Sequence, residues 1–136
     1  MERSIQSDPR KRGIGKTVLV VDDHAVIRKM LVAAFLSDGF KTSGEAENGR
    51  DALDVAQQIK PDLIILDLSM PVMNGLQAAP QLRKLLPGTR IILYTLYADG
   101  GVLEHEAANA GIDLVLSKDQ DISILVSRAH ELMGSK

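Results

Sequence analysis

Five short apolar runs alternate along the chain with stretches whose apolar residues recur at helical spacing, and no other feature constrains the fold as strongly. The third run, Leu63–Leu66, is continuously apolar, as expected for a central strand of a parallel sheet that is buried on both faces. Each run is followed by a helical stretch, which indicates a βα unit repeated five times. The sequence therefore predicts a doubly wound α/β fold, in which helices cover both faces of a five-stranded parallel sheet.

The predicted elements can be placed from apolar spacing and from the glycines and prolines that end each stretch. The predicted strands are Thr17–Val21, 40–45, Leu63–Leu66, 91–95 and 112–116. The predicted helices carry Val26, Met30, Leu31, Ala34 and Phe35 in the first, Ala52, Leu53, Val55, Ala56 and Ile59 in the second, and Leu76, Ala79, Leu82, Leu85 and Leu86 in the third, with 102–110 and Ile122–Met133 as the fourth and fifth. Pro80 lies inside the third helix and predicts either a kink or a late helix start.

Composition narrows the class of protein further. The 136 residues suit one domain, 45% are hydrophobic and 25% are charged, and no apolar run approaches the roughly 20 residues of a membrane span. The absence of cysteine excludes disulfides, thiol catalysis and zinc-thiolate sites, and the formal net charge of −2 argues against general binding of nucleic acid. We expect a cytoplasmic domain over residues 17–136, preceded by a disordered basic leader over residues 1–16.

Polar residues stand at the carboxyl ends of four predicted strands. Asp22 and Asp23 follow the first strand, Asp67 follows the third, Thr95 closes the fourth, and Lys118 comes just after the fifth. In open α/β sheets this edge is where ligands bind. Clustered carboxylates repel one another unless a pKa rises or a cation binds, and an oxygen-only site favours Mg²⁺.

The same residues suit phosphoryl chemistry. A carboxylate such as Asp67 is a competent nucleophile for forming an aspartyl phosphate. An ammonium group from Lys118, a hydroxyl from Thr95 and a bound metal are suitable to neutralise charge on a transferring phosphoryl group. Taken singly, Asp22 and Asp23 could merely cap a helix, and Thr95 and Lys118 could be ordinary strand and surface residues. His24 is assigned no chemistry, because no nucleophile is paired with it.

Four motifs carry a resemblance to a known family: VDDH at residues 21–24, DLSMPVMNG at 67–75, Tyr94-Thr95, and SKD at 117–119. Together they resemble the receiver domains of bacterial two-component response regulators, over nearly everything after Lys16. The resemblance implies a flavodoxin-like (βα)5 sandwich with strand order 2-1-3-4-5. The first and last motifs are similar to receivers that are usually joined to a helix-turn-helix DNA-binding domain.

The resemblance also implies roles for individual residues. Asp67 is expected to be the phosphoacceptor, and Mg²⁺ is expected to be bound by Asp23, Asp67 and the backbone carbonyl of Ser69, with Asp22 assisting through water. Thr95 and Lys118 are expected to contact the phosphoryl group.

The expected partner is a histidine kinase or a phosphotransfer protein that supplies the phosphoryl group. Such a domain catalyses its own phosphorylation and dephosphorylation, so the resemblance implies a switch rather than a metabolic enzyme. The face formed by the fourth helix, fifth strand and fifth helix is expected to contact a second copy or a downstream effector. No direct contact with nucleic acid or membrane is expected.

The sequence departs from the family pattern at positions that modulate the switch. Val115 stands where many receivers have an aromatic residue that couples to the strand-four threonine. Ser69 and Tyr97 occupy positions that tune hydrolysis in the family that the chain resembles, and we expect Tyr97 to slow the loss of phosphate. Asp99, Gly100 and Gly101 precede the fourth helix and predict a mobile or late start for it.

Other functions remain open at this point. A receiver-like interaction module that is not phosphorylated is one alternative, and Val115 is its best support. A haloacid-dehalogenase-like phosphatase is another, but such enzymes need Asp-x-Asp, whereas Leu68 and Ser69 follow Asp67. A flavin-binding protein is least favoured, since the chain has no tryptophan and 3% aromatic residues.

Overall fold

The computed structural model describes residues 11–96, 98 and 101–134. The strands are β1 (Thr17–Val21), β2 (Lys41–Ala46), β3 (Leu63–Leu66), β4 (Arg90–Thr95) and β5 (Leu114–Ser117). The helices are α1 (Ala25–Ser37), α2 (Gly49–Ile59), α3 (Gly75–Leu85), α4 (Val102–Asn109) and α5 (Ile122–Met133). The strands form one parallel sheet in the order β2-β1-β3-β4-β5, which confirms the predicted fold class and strand order.

Two apolar layers hold the sheet between the helices. Strand β3 contributes to both, because Ile64 and Leu66 pack with residues of α2, α3 and α4, whereas Leu63 and Ile65 pack with residues of α1 and α5. All four side chains are essentially inaccessible to solvent. The central strand is therefore rigidly packed up to the residue that follows it, Asp67.

Several element boundaries differ from the sequence-based prediction, each for a local reason. Strand β2 begins one residue later than predicted, because the amide of Phe40 still donates to the carbonyl of Phe35 at the end of α1. Strand β5 begins at Leu114 instead of residue 112, because the amide of Ile112 donates to the carbonyl of Ala107 in the turn that ends α4. These backbone groups complete helix termini and are not available to a strand.

Of the two alternatives predicted from Pro80, a kink or a late helix start, the late start is wrong. Helix α3 begins at Gly75 and continues through Pro80, whose ring is exposed to solvent. The cause is a capping box, in which the Asn74 side chain accepts from the Gln77 amide and the Gln77 side chain accepts from the Asn74 amide, each at 2.9 Å. The start of the helix is thus fixed before Pro80 is reached.

Helix α1 is apolar on more than its buried side. Leu31 and Phe35 are buried as core residues, but Val26 and Met30 are 72% and 52% exposed. Helical spacing correctly predicts the helix, although it does not indicate which of its apolar residues face solvent.

Residues 11–16 fold against the domain, unlike the disordered leader expected there. The amide of Gly13 donates to Nδ1 of the buried His130 at 2.8 Å, and Lys11 Nζ lies 2.7 Å from Asp38 Oδ1. Gly13 also lies against the ring of Phe40, where a Cβ atom would overlap the ring. A buried imidazole needs such hydrogen-bond partners, and this turn supplies one of them. Residues 1–10 of the predicted leader lie outside the described residues.

Within the described part of the chain, no helix combines the length and apolar composition that crossing a membrane requires.

Candidate functional site

The carboxyl ends of β1, β3, β4 and β5 bring the predicted site residues to one edge of the sheet. The amide of Asp67 donates to the carbonyl of Val21 at 2.9 Å, and the amide of Lys118 donates to the carbonyl of Thr95 at 2.9 Å. These bonds extend the strand pairing by one residue beyond the strands themselves. The backbones that carry the acidic and basic side chains are therefore held by the sheet and not by mobile loops.

Lys118 links two of the carboxylates. Its Nζ atom lies 2.7 Å from Asp22 Oδ2 and 3.3 Å from Asp67 Oδ1. Asp22 and Asp67 are 1% and 5% exposed, so both need a nearby positive charge. The predicted convergence of Lys118 on the acidic residues is present in the structure.

The site raises the proton affinity of two of its groups. Burial raises the pKa of the Asp67 carboxyl above its ordinary value, and the negative charges of Asp22 and Asp23 act in the same direction against the opposing effect of Lys118. For Lys118, burial acts to lower the pKa, but the hydrogen bond to Asp22 and the charge of Asp67 outweigh it and the pKa is raised. The ammonium group therefore stays charged beside Asp67.

The acidic cluster can accommodate a divalent cation. Oxygen atoms of Asp22, Asp23 and Asp67 and a ring nitrogen of His24 all lie within 4.8 Å of one another. Asp23 Oδ1 is buried and has no hydrogen-bond partner among the described residues. A buried carboxylate oxygen without a partner is costly, and a bound cation would satisfy it. The donor set thus fits the Mg²⁺ that the sequence resemblance implies.

Gly75 positions the loop after Asp67 through close backbone contact. Its amide donates to the carbonyl of Leu68 at 2.9 Å. A Cβ atom at this position would overlap the backbone carbonyl oxygen of Asp67 and would lie 2.9 Å from Leu93 Cδ1. The role in the loop-to-helix turn expected from the sequence is accompanied by a close approach that only glycine allows.

The other residues predicted to act at the site differ in how far they are buried. Thr95 is fully buried at the end of β4. Ser69 is exposed in the loop after Asp67, and Val115 is half-buried and packs against the α2, α3 and α4 side of the core. Tyr97 lies outside the described residues. The metal contact of the Ser69 carbonyl and the modulating roles of all three positions stay predictions.

Two side chains near the site have no role predicted from the sequence. The Tyr94 ring packs on the α1 and α5 side of the sheet, with Lys118 Nζ 6.0 Å from its centroid. His24 Nδ1 lies 3.2 Å from Asp23 Oδ1 and 3.5 Å from Asp22 Oδ1. The position of His24 directly after Asp22 and Asp23 in the sequence could have indicated that it lies near them. Nothing in the local sequence indicates that the Tyr94 ring lies next to Lys118.

Comparison with known proteins agrees with this fold. The profile of the response regulator receiver domain matches residues 18–130. The chain is 41% identical over 80 residues to the chemotaxis protein CheY of Thermotoga maritima, covering 59% of this chain and 67% of that protein. It is also 44% identical over 117 residues to a putative transcriptional regulator of Pseudomonas aeruginosa, covering 86% of this chain and 56% of that protein.

Solved structures show the same architecture. The signal receiver domain of the putative response regulator NarL from Mycobacterium tuberculosis superposes with a TM-score of 0.82 at 30% identity, covering 90% of this chain and 99% of that one. A chain of the CheX-CheY-BeF3-Mg complex from Borrelia burgdorferi superposes with a TM-score of 0.85 at 24% identity, covering 95% and 100%, and this likeness concerns the fold alone.

The chain spans only about half the length of several of these relatives, including 51% of an uncharacterized transcriptional regulatory protein of Bacillus subtilis that is 40% identical over 112 residues. The profile match, by contrast, extends from β1 to α5 and includes every site residue discussed above. The chain therefore belongs to the response regulator receiver domain family and is a domain of two-component signal transduction.

Proposed function

We propose that the domain is a switch that accepts a phosphoryl group on Asp67 in an Mg²⁺-dependent reaction. The observation that carries this proposal is the ammonium group of Lys118 held between the two buried carboxylates of Asp22 and Asp67. A cation at hydrogen-bond distance from a buried nucleophile is what transfer of an anionic group requires.

The proposed reaction transfers the phosphoryl group from a phosphohistidine of a histidine kinase or phosphotransfer protein. A carboxylate oxygen of Asp67 forms the new bond to phosphorus while the bond from phosphorus to the histidine nitrogen breaks, and the released imidazole takes up a proton. Lys118 is close enough to Asp67 to stabilise the negative charge on the carboxylate and then on the phosphoryl oxygens. Thr95 is proposed to donate a hydrogen bond from its hydroxyl to one of these oxygens. Bound at the carboxylates, Mg²⁺ would neutralise part of the charge that gathers there.

The domain is proposed to act by changing its contacts and not by turning over a metabolite. The proposed contact surface is the face formed by α4, β5 and α5, where Val102 of α4 is 68% exposed and Ile124 of α5 is 39% exposed. Exposed apolar side chains of this kind suit a second copy of the domain or a downstream effector. Relatives described as transcriptional regulators extend well beyond the matched region, which supports an output through a further domain. The proposed location is the cytoplasm.

Intact-mass measurement after incubation with acetyl phosphate and Mg²⁺ tests this function. The wild-type chain is expected to gain about 80 Da, the mass of one phosphoryl group. Asp67→Asn and a wild-type sample in EDTA serve as controls and should gain nothing.

An unmodified wild-type protein that is folded and binds Mg²⁺ would contradict the proposal, provided that beryllofluoride also fails to bind. Steady release of phosphate from a phosphomonoester would instead favour the phosphatase alternative.

A further inference from the structure

The imidazole of His24 lies beside the carboxylates of the proposed cation site. Its Nδ1 atom is 3.2 Å from Asp23 Oδ1 and 3.5 Å from Asp22 Oδ1, and the backbone amide of His24 donates to the same Asp22 oxygen at 2.9 Å. The side chain makes no hydrogen bond to the start of α1, although His24 occupies the N-cap position. The ring is therefore directed at the carboxylates without capping the helix.

His24 Nδ1 and Asp23 Oδ1 are two potential ligand atoms for the same cation. Asp23 Oδ1 is buried and has no hydrogen-bond partner among the described residues, although His24 Nδ1 is only 3.2 Å away. Both atoms can donate an electron pair to a metal ion, and a cation between them would be bonded to both.

The distances suit a common six-coordinate ion. With ligand bonds of about 2.0 to 2.1 Å, neighbouring ligands of an octahedral ion lie about 2.9 Å apart and opposite ligands about 4.2 Å apart. The separations of 3.2 Å and 3.5 Å, and the limit of 4.8 Å for the whole group, are close to this range. The His24 ring is exposed and has space to turn toward a bound ion.

We propose that His24 is a nitrogen ligand at this site and that it enables the site to bind a divalent transition-metal ion, such as Ni²⁺ or Zn²⁺, more tightly than Mg²⁺. Imidazole is a good ligand for Ni²⁺ and Zn²⁺, whereas Mg²⁺ prefers oxygen and keeps its water. The proposal rests on the proposed function, because it concerns the cation site of that reaction. Its consequence is that transition metals compete with Mg²⁺ for the switch.

Binding of Ni²⁺ and of Mg²⁺, each measured by titration calorimetry on the folded domain, tests the proposal. His24→Gln is the test variant, and His105→Gln is the matched control, because His105 is an exposed imidazole on α4, away from the cluster. We expect His24→Gln to weaken Ni²⁺ binding about tenfold or more and to change Mg²⁺ binding less than about threefold. His105→Gln should leave both affinities unchanged.

A second readout does not depend on affinity. In the wild-type domain, Zn²⁺ should shift the ¹⁵N NMR resonance of His24 Nδ1 directly and leave the ring of His105 unaffected. Unchanged Ni²⁺ affinity in His24→Gln, or an equal loss in His105→Gln, would overturn the proposal, as would a Zn²⁺ shift confined to His105.

Phosphorylation by acetyl phosphate with Mg²⁺, measured on the same wild-type and His24→Gln samples, keeps the two claims separate. If wild type is phosphorylated while the metal titrations show no effect of His24, only the role of His24 fails. If neither protein is phosphorylated and wild type still binds Ni²⁺ through His24, the proposed function fails and the metal site stands.

Discussion

Replacing Gly75 with alanine should disturb both the stability of the domain and the position of Asp67. The added Cβ atom would overlap the backbone carbonyl oxygen of Asp67 and would lie 2.9 Å from Leu93 Cδ1. Both neighbours are held in place, since Leu93 is fully buried in β4 and the amide of Asp67 is bonded to the carbonyl of Val21. The clash can be relieved only by moving the loop and the start of α3.

The magnitude follows from the cost of forcing atoms into a packed region. Overpacking typically costs about 1 to 3 kcal/mol, and the better helix propensity of alanine returns less than about 1 kcal/mol at a first helical residue. We therefore expect the free energy of unfolding to fall by about 1 to 2 kcal/mol. For a domain of this size that corresponds to a fall in Tm of roughly 3 to 10 °C.

Urea unfolding and the rate of phosphorylation by acetyl phosphate measure the two effects. Gly88→Ala is the matched control, because a Cβ atom at that position meets nothing within 4 Å, and it should change stability by less than about 0.5 kcal/mol. Gly75→Ala should also slow phosphorylation by roughly tenfold or more, because a displaced nucleophile loses alignment. A Gly75→Ala variant with wild-type stability and wild-type rate would refute this reasoning.

Three further predictions concern the charged and buried groups. Lys118→Met leaves Asp22 and Asp67 buried without their counter-charge and should cost about 3 kcal/mol of unfolding free energy in EDTA, so a loss below about 0.5 kcal/mol in urea unfolding would contradict the role of Lys118. The pKa of Asp67 is raised in the folded state, so between the ordinary pKa and the raised pKa the folded protein binds more protons than the unfolded chain. The free energy of unfolding, measured relative to Asp67→Asn, should therefore fall as the pH rises through this interval. Urea unfolding of both proteins in EDTA across this pH range measures the difference in unfolding free energy, and a difference that does not change with pH would contradict the prediction. His130→Ala removes the acceptor of the Gly13 amide and should destabilise the domain by about 2 to 4 kcal/mol while accelerating hydrogen exchange at Gly13, and an unchanged exchange rate would count against the docked turn.

The sequence predicts the sheet better than the details at its edges. The apolar runs of β1 and β3 are bounded correctly because every residue in them except Thr17 packs into the core, so composition and structure coincide. The strands β2 and β5 begin later than predicted because Phe40 and Ile112 are apolar, yet their amides donate hydrogen bonds to carbonyls of the preceding helices. Hydrophobicity alone cannot distinguish a strand residue from an apolar helix-terminating residue.

The site is predictable to the extent that strand ends determine it. Asp22, Asp67 and Lys118 meet because parallel strands place their carboxyl ends at one edge, which follows from the sequence pattern. The orientation of the His24 ring depends instead on side-chain rotamers, which the one-dimensional pattern does not encode.

The docking of residues 11–16 could not be predicted for a similar reason. It depends on a buried histidine more than a hundred residues away in sequence, His130, and on the ring of Phe40 beneath Gly13. A short polar stretch with glycine gives no local signal of such a long-range contact.

Localising the phosphoryl group within the chain tests the central claim most directly. The wild-type domain would be phosphorylated with acetyl phosphate and Mg²⁺, treated with borohydride to reduce any aspartyl phosphate to homoserine, and digested for peptide sequencing by mass spectrometry. We predict homoserine at residue 67 alone. Homoserine at Asp22 or Asp23 with residue 67 intact, or no homoserine at all in a protein shown to be folded and bound to Mg²⁺, would contradict the account.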